Sequence, residues 1–186
     1  MKNEINRIAD RLVKAFNTNT VINPIPVKYC KNINLANKLR KLCEDQIKDE
    51  TIGIKAGGTG IQALKKLKEK EPFTAKVFKK RLVKSGQKVK INQHTKGIEV
   101  EVYYFIKKSF FDYKGKVTKS NVTKFIKFMG PCFEIVGFRQ RNKKFTYLGD
   151  ICGDFGFNIK FVVGKKTKFK KLNLNNLKTS LVSKKN

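Results

Sequence analysis

With 186 residues, 40% of them hydrophobic and 15 of them phenylalanine, the chain is long enough to bury one core and too apolar to be disordered throughout. Lysine and arginine total 43 against 14 acids, a net charge of +29, and no apolar run reaches the roughly 20 residues of a bilayer span. The expectation is a soluble protein, cytoplasmic in a bacterial cell, with no membrane association and no signal-peptide core after Met1.

Charge of this size points towards polyanions, but its make-up weakens the inference. Only six of the 43 cations are arginine, the side chain preferred for bidentate phosphate and base contacts. The lysines run along the whole chain beside abundant Asn, Ile and Phe, a pattern that compositional bias would also give. A Lys-rich solvated surface is one reading. A basic nucleic-acid-binding protein, holding its partner by non-specific electrostatics, is the other, and the phenylalanines read as core rather than as a stacking platform. Cys30, Cys43, Cys132 and Cys152 lack CxxC spacing, and His94 is the single histidine, so neither a zinc site nor a His-based triad is indicated.

In chain order, Ile5, Ile8, Leu12 and Phe16 recur at helical spacing. After a turn with Pro24 and Pro26, Asn34 is placed to cap a second helix carrying Leu35, Leu39, Leu42 and Ile47. Thr51 to Lys55 reads as a short strand entering the Gly-rich turn Gly57-Gly58-Thr59-Gly60, with a helix through Ile61, Leu64 and Leu67. Lysine precedes these glycines and the GKS/GKT ending is absent, so this is not a P-loop. Val77-Phe78, Arg81 to Val83 and Lys88 to Ile91 read as strand pieces. Ser120 is placed to cap a helix bearing Val122, Phe125, Ile126 and Met129, stopped by Gly130-Pro131. Phe133 to Val136 is a strand enclosing one carboxylate, Asp150 to Phe157 a Gly-interrupted loop, and Phe161 to Val163 another strand. Leu172, Leu174, Leu177, Leu181 and Val182 are sparse anchors in a lysine-rich tail. His94 and Asp154 read as solvated loop residues.

The most informative stretch is Ile98-Glu99-Val100-Glu101-Val102, a strand pattern that places Glu99 and Glu101 on one face about 7 Å apart. The pair can stand on a wetted face among lysines, or it can share a divalent cation. With Glu134 converging from a second strand, three carboxylates would form a hard oxygen site suited to Mg²⁺ or Mn²⁺.

Gly53-Ile54-Lys55 with Thr59, then Ile98 to Glu101, then Phe133-Glu134-Ile135-Val136 with Arg139, resemble the ordered signatures of the 2-keto-4-pentenoate hydratase group of the fumarylacetoacetate hydrolase superfamily. Segments at Glu71-Pro72-Phe73, Ser85-Gly86 and Asp150 to Phe157 also fall in place, so the likeness covers roughly residues 3 to 182. It implies an α+β fold, a mixed β-roll or sandwich, with residues 1–50 as an N-terminal helical arm and 51–186 as a C-terminally shortened metal-binding β-roll domain. It further implies Mg²⁺ or Mn²⁺ on Glu99, Glu101 and Glu134, Lys55 as the catalytic lysine, a small 2-keto acid substrate, hydratase or lyase chemistry, and a homo-oligomer. The chain departs from the family where Lys79-Lys80 replace an acidic residue and where Gly137 follows Val136 in place of aspartate. It also stops near Val182, where the family has a further strand pair. These departures keep open a catalytically inactive relative with a structural role.

Overall fold

A computed structural model describes residues 3–91, 94–170, 178–180 and 182. The expected first helix is α1 (Glu4–Thr18), capped by the Asn3 side chain, which accepts from the Asn6 amide at 3.2 Å, and closed by left-handed Asn19. A four-residue helix, α2 (Lys28–Lys31), precedes α3 (Ile33–Asp45). Asn32, two residues before the expected cap Asn34, caps α3 and accepts from the Asn34 and Leu35 amides. The apolar stripe of α1 packs on Leu39 and Cys43 of α3, and the same cluster takes in Phe78 and Phe155 from the other half of the chain. Burial of each such large apolar side chain contributes about 1.5–3 kcal/mol.

β1 (Thr51–Gly57) and β2 (Phe73–Phe78) form an antiparallel ribbon whose connection contains α4 (Ile61–Leu67). The larger sheet has the order β3 (Leu82–Lys84), β6 (Asn158–Val163), β5 (Ile126–Gly137), β4 (Thr95–Ile106). β3 lies parallel to β6, the other pairs are antiparallel, and the short β7 (Thr167–Lys168) joins β5 at Phe128 and Met129. The α5 helix (Leu148–Cys152) and a 3₁₀ turn, Phe155–Phe157, lead into β6.

Several expectations are corrected. The helix predicted from Ser120 is a 3₁₀ turn at Val122–Phe125, after which Ile126 enters β5. The helical spacing of Val122, Phe125, Ile126 and Met129 gives way to pairing with β4, as tertiary context overrides local pattern. Gly130-Pro131 does not end the element. Pro131 faces the gap between the ends of β6 and β7, where its carbonyl accepts from the Gly164 amide at 2.9 Å and no N–H is needed. Lys88 to Ile91 is irregular. Asp154 is fully buried rather than solvated. Val182 is exposed, while Leu172, Leu174, Leu177 and Leu181 lie outside the described residues.

Candidate metal centre

The site grows from the register of β4 on β5. Glu99 stands directly opposite Glu134, and Glu101 lies two residues further along the same face, opposite Cys132. One carboxylate oxygen from each of the three acids lies within 4.8 Å of the others. Glu99 and Glu101 open to solvent, whereas Glu134, on the central strand, is 2% exposed. The predicted constellation is therefore assembled by a single pair of strands.

Lys55 completes it from the other sheet. Its ammonium donates to Glu134 Oε1 at 2.6 Å and Oε2 at 2.7 Å, and to the Gly156 carbonyl at 3.0 Å. Burial pushes the Glu134 carboxyl up to about 7; the Lys55 charge opposes that rise, and Glu99 and Glu101 add to it. The Glu101 carboxyl is raised too, first by loss of water, then by Glu99, with Lys55 acting the other way. Three acids crowded together beside one ammonium are short of positive charge, and a divalent cation would supply it. The donors are all hard oxygens, which suits Mg²⁺ or Mn²⁺. Cys132 shares the face, but burial, followed by the charges of Glu134 and Glu101, pushes its thiol up to about 11. It stays a thiol at neutral pH, so the oxygen set is the one that fits.

The Gly156 carbonyl is held by a device that the sequence reading missed. Phe155, Gly156 and Phe157 all have positive φ, 53°, 67° and 70°, three consecutive residues in the left-handed region. Two of them are not glycine, so the turn needs outside support. Phe155 packs on Phe16 at a centroid distance of 4.3 Å and Phe157 on Phe138 at 4.5 Å. Behind them, Asp154 accepts from the Arg139 amide at 2.7 Å and from its guanidinium at 3.1 Å. The same guanidinium donates to the Asn158 carbonyl, and the Asn158 amide side chain donates to the Phe155 carbonyl. Burial draws the Arg139 pKa down, and Asp154 opposes that shift. The run of glycines at 149, 153 and 156 was the available signal, but its handedness is invisible without coordinates.

Other motif residues lie outside this cluster. Lys79, where the resemblance implies an acid, pairs with Glu50 at 2.7 Å on the surface, and the Lys80 amide donates to Asp49. Thr59 is exposed in the turn after β1. His94 is half-buried where β4 begins.

No protein-family model and no curated protein matches the chain. Solved structures do. 4-Oxalocrotonate decarboxylase from Pseudomonas putida G7, complexed with magnesium and adipate, matches with a TM-score of 0.68 at 15% identity, over 89% of this chain and 64% of that one. The same decarboxylase complexed with calcium and acetate matches with a TM-score of 0.71 at 15% identity, over 89% and 63%. The fold is shared. It is the mixed α+β fold expected from the sequence, and this chain spans less than two thirds of those decarboxylase chains. Among the described residues, no helix is long and apolar enough to cross a membrane.

Proposed function

We propose that the chain is a divalent-metal-dependent lyase acting on a small 2-keto acid, with decarboxylation as the favoured branch and hydration as its close alternative. One observation carries the reading: three strand carboxylates within 4.8 Å of one another, the most buried of them held by a lysine from a second sheet. The likeness in fold to a decarboxylase complexed with magnesium and a dicarboxylic acid supports it.

In this reading Glu99, Glu101 and Glu134 hold Mg²⁺ or Mn²⁺. Such an ion would polarise a 2-keto oxygen and so stabilise the negative charge left on the adjacent C3 when a carboxyl group carried by that carbon departs. The protein's own contribution centres on Lys55. Its ammonium is aimed by Glu134 and by the Gly156 carbonyl, so its protons are held at the edge of the carboxylate face. Carbon that loses a carboxyl group as CO₂ takes up a proton in exchange, and Lys55 is placed to supply it. Glu134 is shielded on the central strand, which limits competition by water, while the open sides of Glu99 and Glu101 leave a route for substrate.

Calorimetric titration of Mg²⁺ and Mn²⁺ into chelator-treated protein tests the site, with Glu101→Ala as control. Binding that the substitution abolishes, followed by CO₂ release from a 2-keto acid that Lys55→Ala no longer turns over, is the expected result. Metal binding without turnover of any 2-keto acid would make the chain an inactive relative. No metal binding by folded protein would overturn the reading.

A further inference from the structure

A second surface is built into the far half of the β4–β5 pair. Beyond Pro131 the two strands outrun β6 and, among the described residues, are flanked only by two-residue β7, and their connection, 107–125, projects with them. The phenylalanines here are not core. Phe105 is 55% and Phe111 71% exposed, and Tyr104 and Tyr113 are also open to water. They ride on an ordered frame: Phe125 packs on Phe110 at 5.4 Å and on Tyr113 at 5.0 Å, the Lys107 amide donates to the Phe125 carbonyl, and Asn121 ties Lys116 to Thr118.

The charge around these rings is one-sided. Residues 103–128 and 165–170 contain eleven lysines, no arginine and a single acid, Asp112. Two of the lysines, Lys127 and Lys166, hold their ammonium groups 5.4 Å and 5.1 Å from the Phe128 ring centroid, and Phe128 meets Phe105 edge to face at 6.2 Å. Lysine-rich composition accounts for charge; it does not place rings in water. The occupant must therefore carry both repeated negative charge and flat apolar groups. A second copy of this arm would set lysines against lysines. A membrane surface needs one apolar face, yet Tyr104 and Phe105, adjacent in a strand, point to opposite faces.

We propose that this arm binds single-stranded nucleic acid, stacking bases on Phe105, Phe111 and Tyr113 while the neighbouring lysines neutralise phosphates. The absence of arginine in the arm predicts binding without sequence preference. The claim is independent of the carboxylate site.

Fluorescence anisotropy with a labelled oligothymidylate of roughly 20 nucleotides tests it on the full chain. The wild type should prefer the single strand to a duplex of equal length. Phe105→Ala with Phe111→Ala should weaken binding about ten-fold or more, since stacking on each base is worth about 1–3 kcal/mol and 1.4 kcal/mol is ten-fold. Lys127→Gln with Lys166→Gln should instead flatten the dependence of log K on log salt by about 1.4, at roughly 0.7 per phosphate contact. Should the double aromatic variant fold poorly, Phe111→Ala alone carries the test, because its ring lies in water. Equal binding by the aromatic variants and the wild type would reduce the surface to non-specific charge. Preference for phosphatidylserine vesicles over the oligonucleotide, or self-association that buries the rings, would equally overturn the proposal.

Discussion

β4 and β5 run side by side for twelve residues each, and their two halves are built on opposite terms. In the near half β5 is flanked by β6, the left-handed turn and β1, and two ion pairs are buried there, Lys55 with Glu134 and Arg139 with Asp154, while Glu99 and Glu101 open to solvent. In the far half the strands and their connection present lysines and aromatic rings to water, with one acid, Asp112, among them. The same ladder of backbone hydrogen bonds thus supports an acidic site backed by buried ion pairs at one end and a wet, basic surface at the other. Pairing of two strands does not set polarity; what covers the sheet does.

Breaking the buried ion pairs should cost most. Arg139→Ala leaves Asp154 as a charge buried without its guanidinium and releases the turn that carries Gly156. Loss of one partner from a buried pair costs about 3–5 kcal/mol, readable as a lowered denaturant midpoint. A loss below about 1 kcal/mol would show that the pair is dispensable to the near half.

The second test uses pH. The Glu134 carboxyl is held up at about 7, against 4.5 ordinarily. Between those values the folded chain keeps a proton that the unfolded chain has released, so stability is greatest at the acid end of the window and falls as pH rises through it. For metal-free protein the expected fall from pH 5 to pH 7.5 is on the order of 3 kcal/mol, from about 1.4 kcal/mol per pKa unit. Glu134→Gln should flatten the profile, and added Mg²⁺ should stabilise more at pH 8 than at pH 5. A flat profile in metal-free wild type would mean that the site is better solvated than its burial implies.

The sequence made the near half legible where chemistry follows strand period. The alternation of Ile98 to Val102 placed Glu99 and Glu101 on one face, and Glu134 inside an apolar run marked the partner strand. Lys55 was legible only through the family likeness; its place before Gly57-Gly58, taken alone, did not set it apart from 36 other lysines. The turn at Phe155 to Phe157 was not legible, because left-handed φ at two phenylalanines contradicts their intrinsic preference and exists only under the clamp of Arg139 and Asn158. Asp154 was misjudged for the same reason, its partner lying on the far side of a loop. The 122–129 segment failed differently: its apolar spacing fits a helix and a strand alike, and the neighbouring β4 decided between them.

A smaller effect should follow from Gly156→Ala. A β-carbon there would lie 2.7 Å from the Ala75 β-carbon, in a residue already at positive φ, and the expected cost is about 1–3 kcal/mol. Relief of the Ala75 contact would shift the turn, and with it the Gly156 carbonyl that accepts from Lys55, so turnover should fall further than stability. Gly53→Ala is the matched control, since nothing lies within 4 Å of a β-carbon at that position. Equal effects of the two substitutions would remove the argument that the turn positions Lys55.

The smallest effect belongs to the wet end and sharpens the contrast. Phe111→Ala removes a ring that is 71% exposed, so the denaturant midpoint should stay within about 0.5 kcal/mol of the wild type. Phe155→Ala, the same chemical change at a ring that is 1% exposed, should cost about 3–5 kcal/mol. A costly Phe111→Ala would mean that this ring is covered in solution, and the far half would then be a second core in place of a surface. A neutral result, together with weaker oligonucleotide binding by the same variant, would leave recognition as the reason for a phenylalanine to stand in water there.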